Sequence, residues 1–429
     1  MAHIGILCPH NAGHLLPEGT LGRELARRGH RVTLLGLAQS APIAQQLDLH
    51  LHVLAEENIR GPSFPIRWTA FNCFGASWMI GLLAGYSRQA EILLQCVPPA
   101  LKELAVDGLL IDQTFAGGGT VAEHLGLPYV TVSAALPWDQ EVRVPPLFTP
   151  WAYTEGPRAR WRNRLAYAGW RWYLGPILKI VNRYRRAWKL RPLQRLAEEY
   201  SPLAQICQLC RELDFPRREL PPAFHYVGPL AASRPDGNTE FPWDRLNGRP
   251  LIYASLGTVS DPANRPIFRK ILAACAGIDA QLVLALGKWT DCRGASLREE
   301  LGDLPQNALV VDFAPQLALL DKAALAISHA GQNTVMEALS RAVPIVAIPR
   351  SADQPGVAAR VQYAGVGLMA CSRSITTDAL RQMIERVLTE EPFRRRAQQL
   401  QHAIAAAGGA PRAADIVEAA FTTRRPVLR

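Results

Sequence analysis

The sequence is sparing in cysteine, and what it has is scattered. Of its eight cysteines only Cys207 and Cys210 stand close together. A disulfide framework or a zinc cluster needs several such spacings, and no second pair or histidine cluster accompanies this one. The CxxC is therefore read as structural, and the compartment as reducing and cytosolic. The start, MAHIGILCPHNAGH, lacks the basic opening and long apolar centre of a secretory leader and reads as a first buried strand. One uncharged run, Trp68 to Ser87, reaches membrane-spanning length. Asn72, Ser77 and three glycines interrupt it, so it reads as a buried helix or the wall of an apolar pocket. No GxGxxG follows an expected strand and no GxxxxGK[ST] occurs, which argues against a dinucleotide fingerprint and a P-loop. Short repeats and low-complexity tracts are missing too, as expected of an ordinary globular chain.

Acidic residues are nearly absent from one segment, and there the composition becomes informative. The chain carries a formal net charge of +10, and residues 151–191 alone hold eleven Lys or Arg against the single Glu155. Five of the ten tryptophans lie in the same segment: Trp151, Trp161, Trp170, Trp172 and Trp188. The rest of the protein is close to neutral. Arg and Lys beside Trp and Tyr suit a nucleic-acid face, a surface lying against a membrane, or a solvated helix whose tryptophans point inward.

What is present is a chain of 429 residues, 48% apolar, enough for two or three domains. Short apolar runs at 4–8, 31–37, 108–111 and 129–133 alternate with helical patterns, as in LGRELARRGH with Gly29 as its stop. The second half repeats this at 251–257, 281–287, 308–313, 324–329 and 344–349. Continuous apolar runs are those of parallel strands covered on both faces. The expected organisation is an acceptor-side domain over residues 1–230, a linker rich in Pro, Gly and polar residues at 231–250, a second domain over 251–405, and a C-terminal helix or tail at 406–429 that can pack back on the first domain. The fold class is α/β: two facing, doubly wound, Rossmann-like parallel sheets with a cleft between them. Ligands in such sheets bind beyond the carboxyl ends of the strands.

Two turns in the second half look built for phosphate. SLGT follows a strand, offers the hydroxyls of Ser255 and Thr258, and lets the backbone approach at Gly257. HAGQNT follows another strand and opens a helix. In it Gly331 permits close approach, Asn333 and Thr334 can cap and donate, and His329 adds a donor. Glu337 lies one helical turn beyond Asn333, where a carboxylate can accept from two ribose hydroxyls. Asp353 and Gln354 follow the next strand and could read further hydroxyls. Phe313, ahead of Ala314, Pro315 and Gln316, offers a ring to a flat base. Base, ribose, diphosphate and sugar are met in order, which is the chemistry of a nucleotide sugar.

These positions, from Phe313, Ala314 and Gln316 through His329, Gly331, Asn333, Thr334 and Glu337 to Asp353 and Gln354, resemble the donor signature of the family 1 glycosyltransferases. The resemblance implies a two-domain GT-B enzyme that uses a UDP-sugar and inverts the anomeric centre. Phe313 and Gln332 stand where the family's plant members usually have Trp, which loosens the choice of UDP over dTDP. In the first half, Asn11, Gly13, His14 and Pro17 resemble the family's first-strand loop, whose histidine is the base; the match is His14 and not His10. VDGLLIDQ resembles the strand carrying its orienting carboxylate, here Asp112. The physics agrees: a hydroxyl attacking an anomeric carbon needs a base of pKa near 7, and a buried carboxylate fixes the tautomer.

Within the family, LAVDGLLIDQ, VAEHLGLP, SPLAQICQL, ELDFPRREL, HYVGPL and DQPGVAARV closely resemble the branch that glucosylates carotenoids. That implies UDP-glucose as co-substrate, a zeaxanthin-like hydroxylated acceptor, a β-glucoside product and no cofactor. No DxD occurs, so no metal is expected. Trp78, Phe115 and Trp138 are candidate acceptor contacts. A membrane-dissolved acceptor would suit the segment 151–191, so peripheral contact with an anionic membrane from the cytoplasm is expected, and no nucleic acid. Two other readings stand beside this one: a UDP- or dTDP-sugar transferase for a soluble natural product such as a macrolide or flavonoid, and a non-catalytic basic protein that binds membrane or nucleic acid.

Overall fold

Apolar runs bounded by glycine and polar turns become parallel strands when both faces are covered. The computed structural model describes residues 1–54, 76–230, 240–257, 264–287 and 301–429, with side chains from residue 80 onward in the helix that starts at Ala76. Thr258, the side chain of Trp78, residues 68–75 of the uncharged run and residues 231–239 of the linker lie outside the described residues.

The first seven strands are β1 (His3–Leu7), β2 (Arg31–Gly36), β3 (His50–Val53), β4 (Gly108–Asp112), β5 (Tyr129–Ser133), β6 (Gln205–Cys207) and β7 (Phe224–Tyr226). They form one sheet in the order β3-β2-β1-β4-β5-β6-β7. The next six are β8 (Leu251–Ser255), β9 (Gln281–Ala285), β10 (Ala308–Val311), β11 (Ala323–Ser328), β12 (Ile345–Ala347) and β13 (Gly367–Met369). They form a second sheet in the order β10-β9-β8-β11-β12-β13. Every strand pairing described is parallel. Each sheet reverses direction once, between β1 and β4 in the first and between β8 and β11 in the second. Those reversals are where a doubly wound sheet opens a crevice for a ligand.

The two sheets share a core. One buried apolar cluster runs from Leu136, Cys207 and Phe224 to Met336, Val357 and Leu400. Cys207 and Cys210 are free, fully buried thiols in that cluster. Beside it lies a buried ionic clasp. Arg360, fully buried, donates from Nε to Asp214 Oδ1 at 2.7 Å. Arg217 Nε and the Tyr226 hydroxyl donate to Asp214 Oδ2 at 2.9 and 2.8 Å. Burial alone would raise the Asp214 carboxyl, but the two guanidinium groups outweigh it and hold it down at about 2. The helix Gly409–Thr423 leaves the second sheet and packs on the helix Ala12–Arg27 of the first. There Arg28 Nη1 donates to Asp415 at 2.7 Å and Glu418 at 2.8 Å.

The basic segment divides in a way its composition hides. It forms the helices Pro157–Tyr173 and Gly175–Ala187. Trp170 turns inward, stacked on Tyr173 at 5.4 Å and edge-on to Trp138 at 5.7 Å. Trp188 stacks on His124 at 4.1 Å. Arg185 is buried, paired with Glu123 at 2.7 Å and donating to Thr120 Oγ1 at 3.0 Å. These side chains are structural, so the inward-packing reading holds for part of the segment. Trp161, Leu165 and Trp172 remain exposed on the first of the two helices. Among the described residues no helix is long and apolar enough to cross a membrane.

Candidate active site

His14 and Asp112 meet at the first reversal point because they leave neighbouring strands. β1 ends at Leu7, and the helix Ala12–Arg27 carries His14 back over the strand ends. Asp112 is the last residue of β4. His14 Nδ1 and Asp112 Oδ2 lie 2.7 Å apart, with the imidazole side chain 20% exposed and the carboxylate fully covered. Asp112 Oδ1 also accepts from the backbone N and hydroxyl of Thr114. Burial would raise the carboxyl, but His14 and these hydrogen bonds bring it down to about 2. Burial likewise pulls the imidazole down, and the Asp112 carboxylate more than offsets it, so His14 is more basic than usual. The carboxylate holds Nδ1, and Nε2 is left to take a proton.

The neighbouring Gln113 builds the wall. Its amide nitrogen donates to the Leu136 carbonyl at 2.8 Å, and its oxygen accepts from Ser133 Oγ at 3.0 Å and Trp138 N at 3.1 Å. This fixes the loop after β5. Phe115 and Trp138 line one small cavity with Asp112 and Tyr200. A second cavity beside it shares Trp138 and Tyr200 and reaches Trp170 and Leu174. Trp170 and Tyr200 are wall residues that a sequence reading passes over, since no local spacing ties them to Trp138.

The second reversal point carries the polar turns. Ser255 closes β8, and Gly257 follows with a φ of 111° that favours glycine. His329 follows β11 and its ring lies between the two turns. A Cβ on Gly331 would stand 2.5 Å from His329 Nε2, so glycine there is what lets the ring lie between the turns, while one on Gly257 would sit at ordinary contact, 3.5 Å away. Burial lowers the His329 imidazole to about 4, against a contact with the Ser255 backbone that raises it, so the ring is neutral at pH 7 and carries a single N–H. Its Nδ1 is buried without a hydrogen-bond partner. Gln332, 5% exposed at the start of the helix Gln332–Leu339, has both amide atoms buried without one. Such atoms are costly until something pairs with them.

Other expected donor residues are already engaged. Asn333 does not cap its helix, whose N-cap is Gly331 with no side-chain cap bond. Its Nδ2 donates to the Gly13 carbonyl at 2.8 Å and its Oδ1 accepts from Gln208 Nε2 at 2.6 Å. It thus ties the second domain to the residue before His14. Gln316 accepts from the Tyr253 hydroxyl at 3.1 Å and donates to Glu337, which is buried at 1% exposure. Phe313 is 41% exposed beyond β10, with Ala314 buried behind it. Asp353 accepts from Leu136 N across the domains at 3.2 Å, and burial raises its carboxyl. Gln354 accepts from Arg350 N at 3.0 Å and Ser351 N at 3.2 Å, which closes its own turn. Thr334 is half-buried on the same helix. Sequence reasoning missed Gln208, and read Gly13 only as part of the loop before His14; the partner of both lies in the other half of the chain.

Two doubly wound sheets with reversal points opposed across a cleft form the GT-B architecture. A glycosyltransferase of this kind, VinC in complex with dTDP, superimposes with a TM-score of 0.70 at 19% identity, covering 98% of this chain and all of that one. A family model described as the C-terminal domain of erythromycin biosynthesis protein CIII-like proteins matches residues 269–421. The zeaxanthin glucosyltransferase of Pantoea ananas is 36% identical over 100% of this chain and 98% of its own. That of Pseudescherichia vulneris is 35% identical over 98% of each. The chain belongs to the family 1 glycosyltransferases, the family of these two enzymes.

Proposed function

We propose that the protein moves glucose from UDP-glucose to a terminal ring hydroxyl of a zeaxanthin-type carotenoid, with inversion and without a metal. The observation that carries the chemistry is the 2.7 Å contact of His14 with Asp112 at one reversal point, tied through Asn333 to the HAGQNT turn at the other. The acceptor hydroxyl oxygen attacks the anomeric carbon as its proton passes to His14 Nε2. The bond from that carbon to the diphosphate oxygen breaks, and the electron pair leaves with UDP. His329, Gln332 and the start of the helix Gln332–Leu339 are the donors suited to the departing charge. The acceptor class rests on full-length similarity to the two carotenoid-modifying relatives. Purified protein incubated with a panel of UDP- and dTDP-sugars and zeaxanthin in liposomes, read by mass spectrometry, tests it. One or two hexose additions from UDP-glucose are expected. Transfer only to an added macrolide would favour the soluble natural-product reading, which the matched family model keeps open. Transfer to no acceptor would return the protein to the non-catalytic class.

The acceptor is membrane-dissolved in this reading, and one helix supplies a surface for meeting it. Trp161, Leu165 and Trp172 are 64%, 52% and 83% exposed and fall on one face of Pro157–Tyr173. Arg158, Arg160, Arg164 and Arg171 surround them, all exposed. The apolar side chains suit the headgroup level and the arginines an anionic leaflet. The inner face of the same helix carries Trp170 to the cavity wall. Co-sedimentation should be stronger with anionic than neutral vesicles, should weaken with salt, and should fall when Trp161 and Trp172 become Gln. Equal pelleting with both vesicle types, or binding unchanged in the double variant, would leave this face merely solvated.

A further inference from the structure

Behind the His14–Asp112 pair lies a carboxyl group that the mechanism does not use. Glu18 sits four residues after His14 on the helix Ala12–Arg27, so the two share a helix face. Its side chain is fully buried, no N–H group pairs with either carboxyl oxygen, and its polar neighbours are Asp112 and Cys8. Its oxygen, an Asp112 oxygen and the Cys8 sulfur all lie within 4.8 Å of one another. A buried carboxylate with no partner and a second carboxylate beside it is costly. Burial first, and the Asp112 charge second, push the Glu18 carboxyl well up, and two buried carboxyl groups this close with no cation between them favour one shared proton, which falls to Glu18 because Asp112 already faces His14. Cys8 does not take that role: its thiol is also pushed up and points to the Pro9 carbonyl at 3.4 Å.

A carboxylate has about four acceptor sites. Asp112 uses three, on His14 Nδ1, Thr114 N and Thr114 Oγ1. We propose that Glu18 is a positioning residue for His14: a permanently neutral acid whose O–H turns to the remaining acceptor site of Asp112. The extra donor draws charge from Asp112 and so limits how far Asp112 raises the imidazole. It thereby tempers the basicity of His14, so that more of the imidazole is free to act as a base. The titratable groups acting on Glu18 are Asp112 of β4 and Cys8 just past β1. Those acting on His14 are Asp112 and, from the second domain, Asp353.

The test reads the imidazole itself, so it stands apart from whether transfer is observed; the inference rests on the transferase reading only for its meaning. In full-length protein with labelled histidine, the His14 resonance is assigned by its loss in His14→Gln and titrated in wild type, Glu18→Gln and Glu18→Leu. Glu18→Leu removes the donor and should raise the His14 pKa by about half a unit to one unit, the size of one neutral hydrogen bond. Glu18→Gln keeps a neutral donor and should restore the wild-type titration. A fall in His14 pKa in both variants would mean that Glu18 is ionised in the native protein. No change in either would make Glu18 a filler. A wild-type titration that moves on adding a chelator would mean that Cys8, Glu18 and Asp112 share a cation instead. Each of these three overturns the proposal. If Glu18→Leu does not fold, Glu18→Met takes its place, with UDP-induced thermal stabilisation as the check on fold.

Discussion

The two walls of the cleft are built differently. On the first, the base and its carboxylate are satisfied within the protein: His14 holds Asp112, and Asp112 holds Thr114, with Glu18 the unpaired group behind them. On the second, His329 Nδ1 and both amide atoms of Gln332 are buried and unpaired. Unpaired buried polar atoms cost free energy that a matching ligand can recover. In the proposed mechanism the base is therefore set before any substrate binds, whereas the donor wall is completed by its ligand. A base must hold its tautomer between turnovers, and a diphosphate site must let the product go.

This contrast can be broken from either side, and the first wall should give the largest effect. His14→Ala should lower transfer by ~10²–10⁴-fold while leaving UDP affinity near wild type, measured by calorimetry beside initial rates. Retained activity, or loss on changing His10 instead, would remove the assignment. The same base sets the pH dependence. His14 works unprotonated and its pKa is raised above the usual 6.5, so kcat/KM should fall as pH drops through that raised value and level off above it.

Asp112→Asn should come next. Its amide would favour the wrong imidazole tautomer, with a loss on the order of 10²-fold in kcat and little change in KM for the donor. An unchanged rate would separate the two residues.

On the second wall, Glu337→Ala should raise KM for UDP-glucose roughly tenfold, the value of a charged hydrogen bond, and the fold should hold. A 2′-deoxyribose donor should then lose its disadvantage. A mutant that still prefers the ribonucleotide as strongly as wild type would argue against the ribose role.

Asn333 belongs to both walls, and its effect should be smaller and mixed. Asn333→Ala breaks the contacts with Gly13 and Gln208, and about 1 kcal/mol, several-fold in kcat/KM, is expected. A double variant with Gln208→Ala should add little beyond the single one, since the two act through one contact. Full additivity would separate them.

Much of the fold was legible because its strands are buried on both faces. The runs at 129–133, 281–285 and 323–328 are mostly apolar, without a charged residue, and stand as strands within a residue or two of where they were expected. β6, β7 and β13 are three residues each, too short for any period to register. At the site, residues that act through a local turn could be read: Gly257, Gly331, His329, Asp112. Asn333 could be read as part of the turn but not for what it touches, because Gly13 is 320 residues away. Glu18 looks in the sequence like any acidic residue of an amphipathic helix, and only the fold brings it within reach of Asp112. The segment 151–191 shows the same limit. Composition grouped Trp161, Trp170 and Trp172, and packing against Trp138 and Tyr173 separates Trp170 from the other two.

The central claim is that a preset His14–Asp112 base drives glucose from UDP-glucose onto a carotenoid hydroxyl. The direct measurement is mass spectrometry of zeaxanthin-loaded liposomes incubated with UDP-glucose and either wild type or His14→Ala. The wild type should yield carotenoid one or two hexose units heavier, and the variant should yield almost none while still binding UDP. Hexosylated carotenoid from both proteins at similar rates, or from neither while another acceptor is glycosylated, would contradict it.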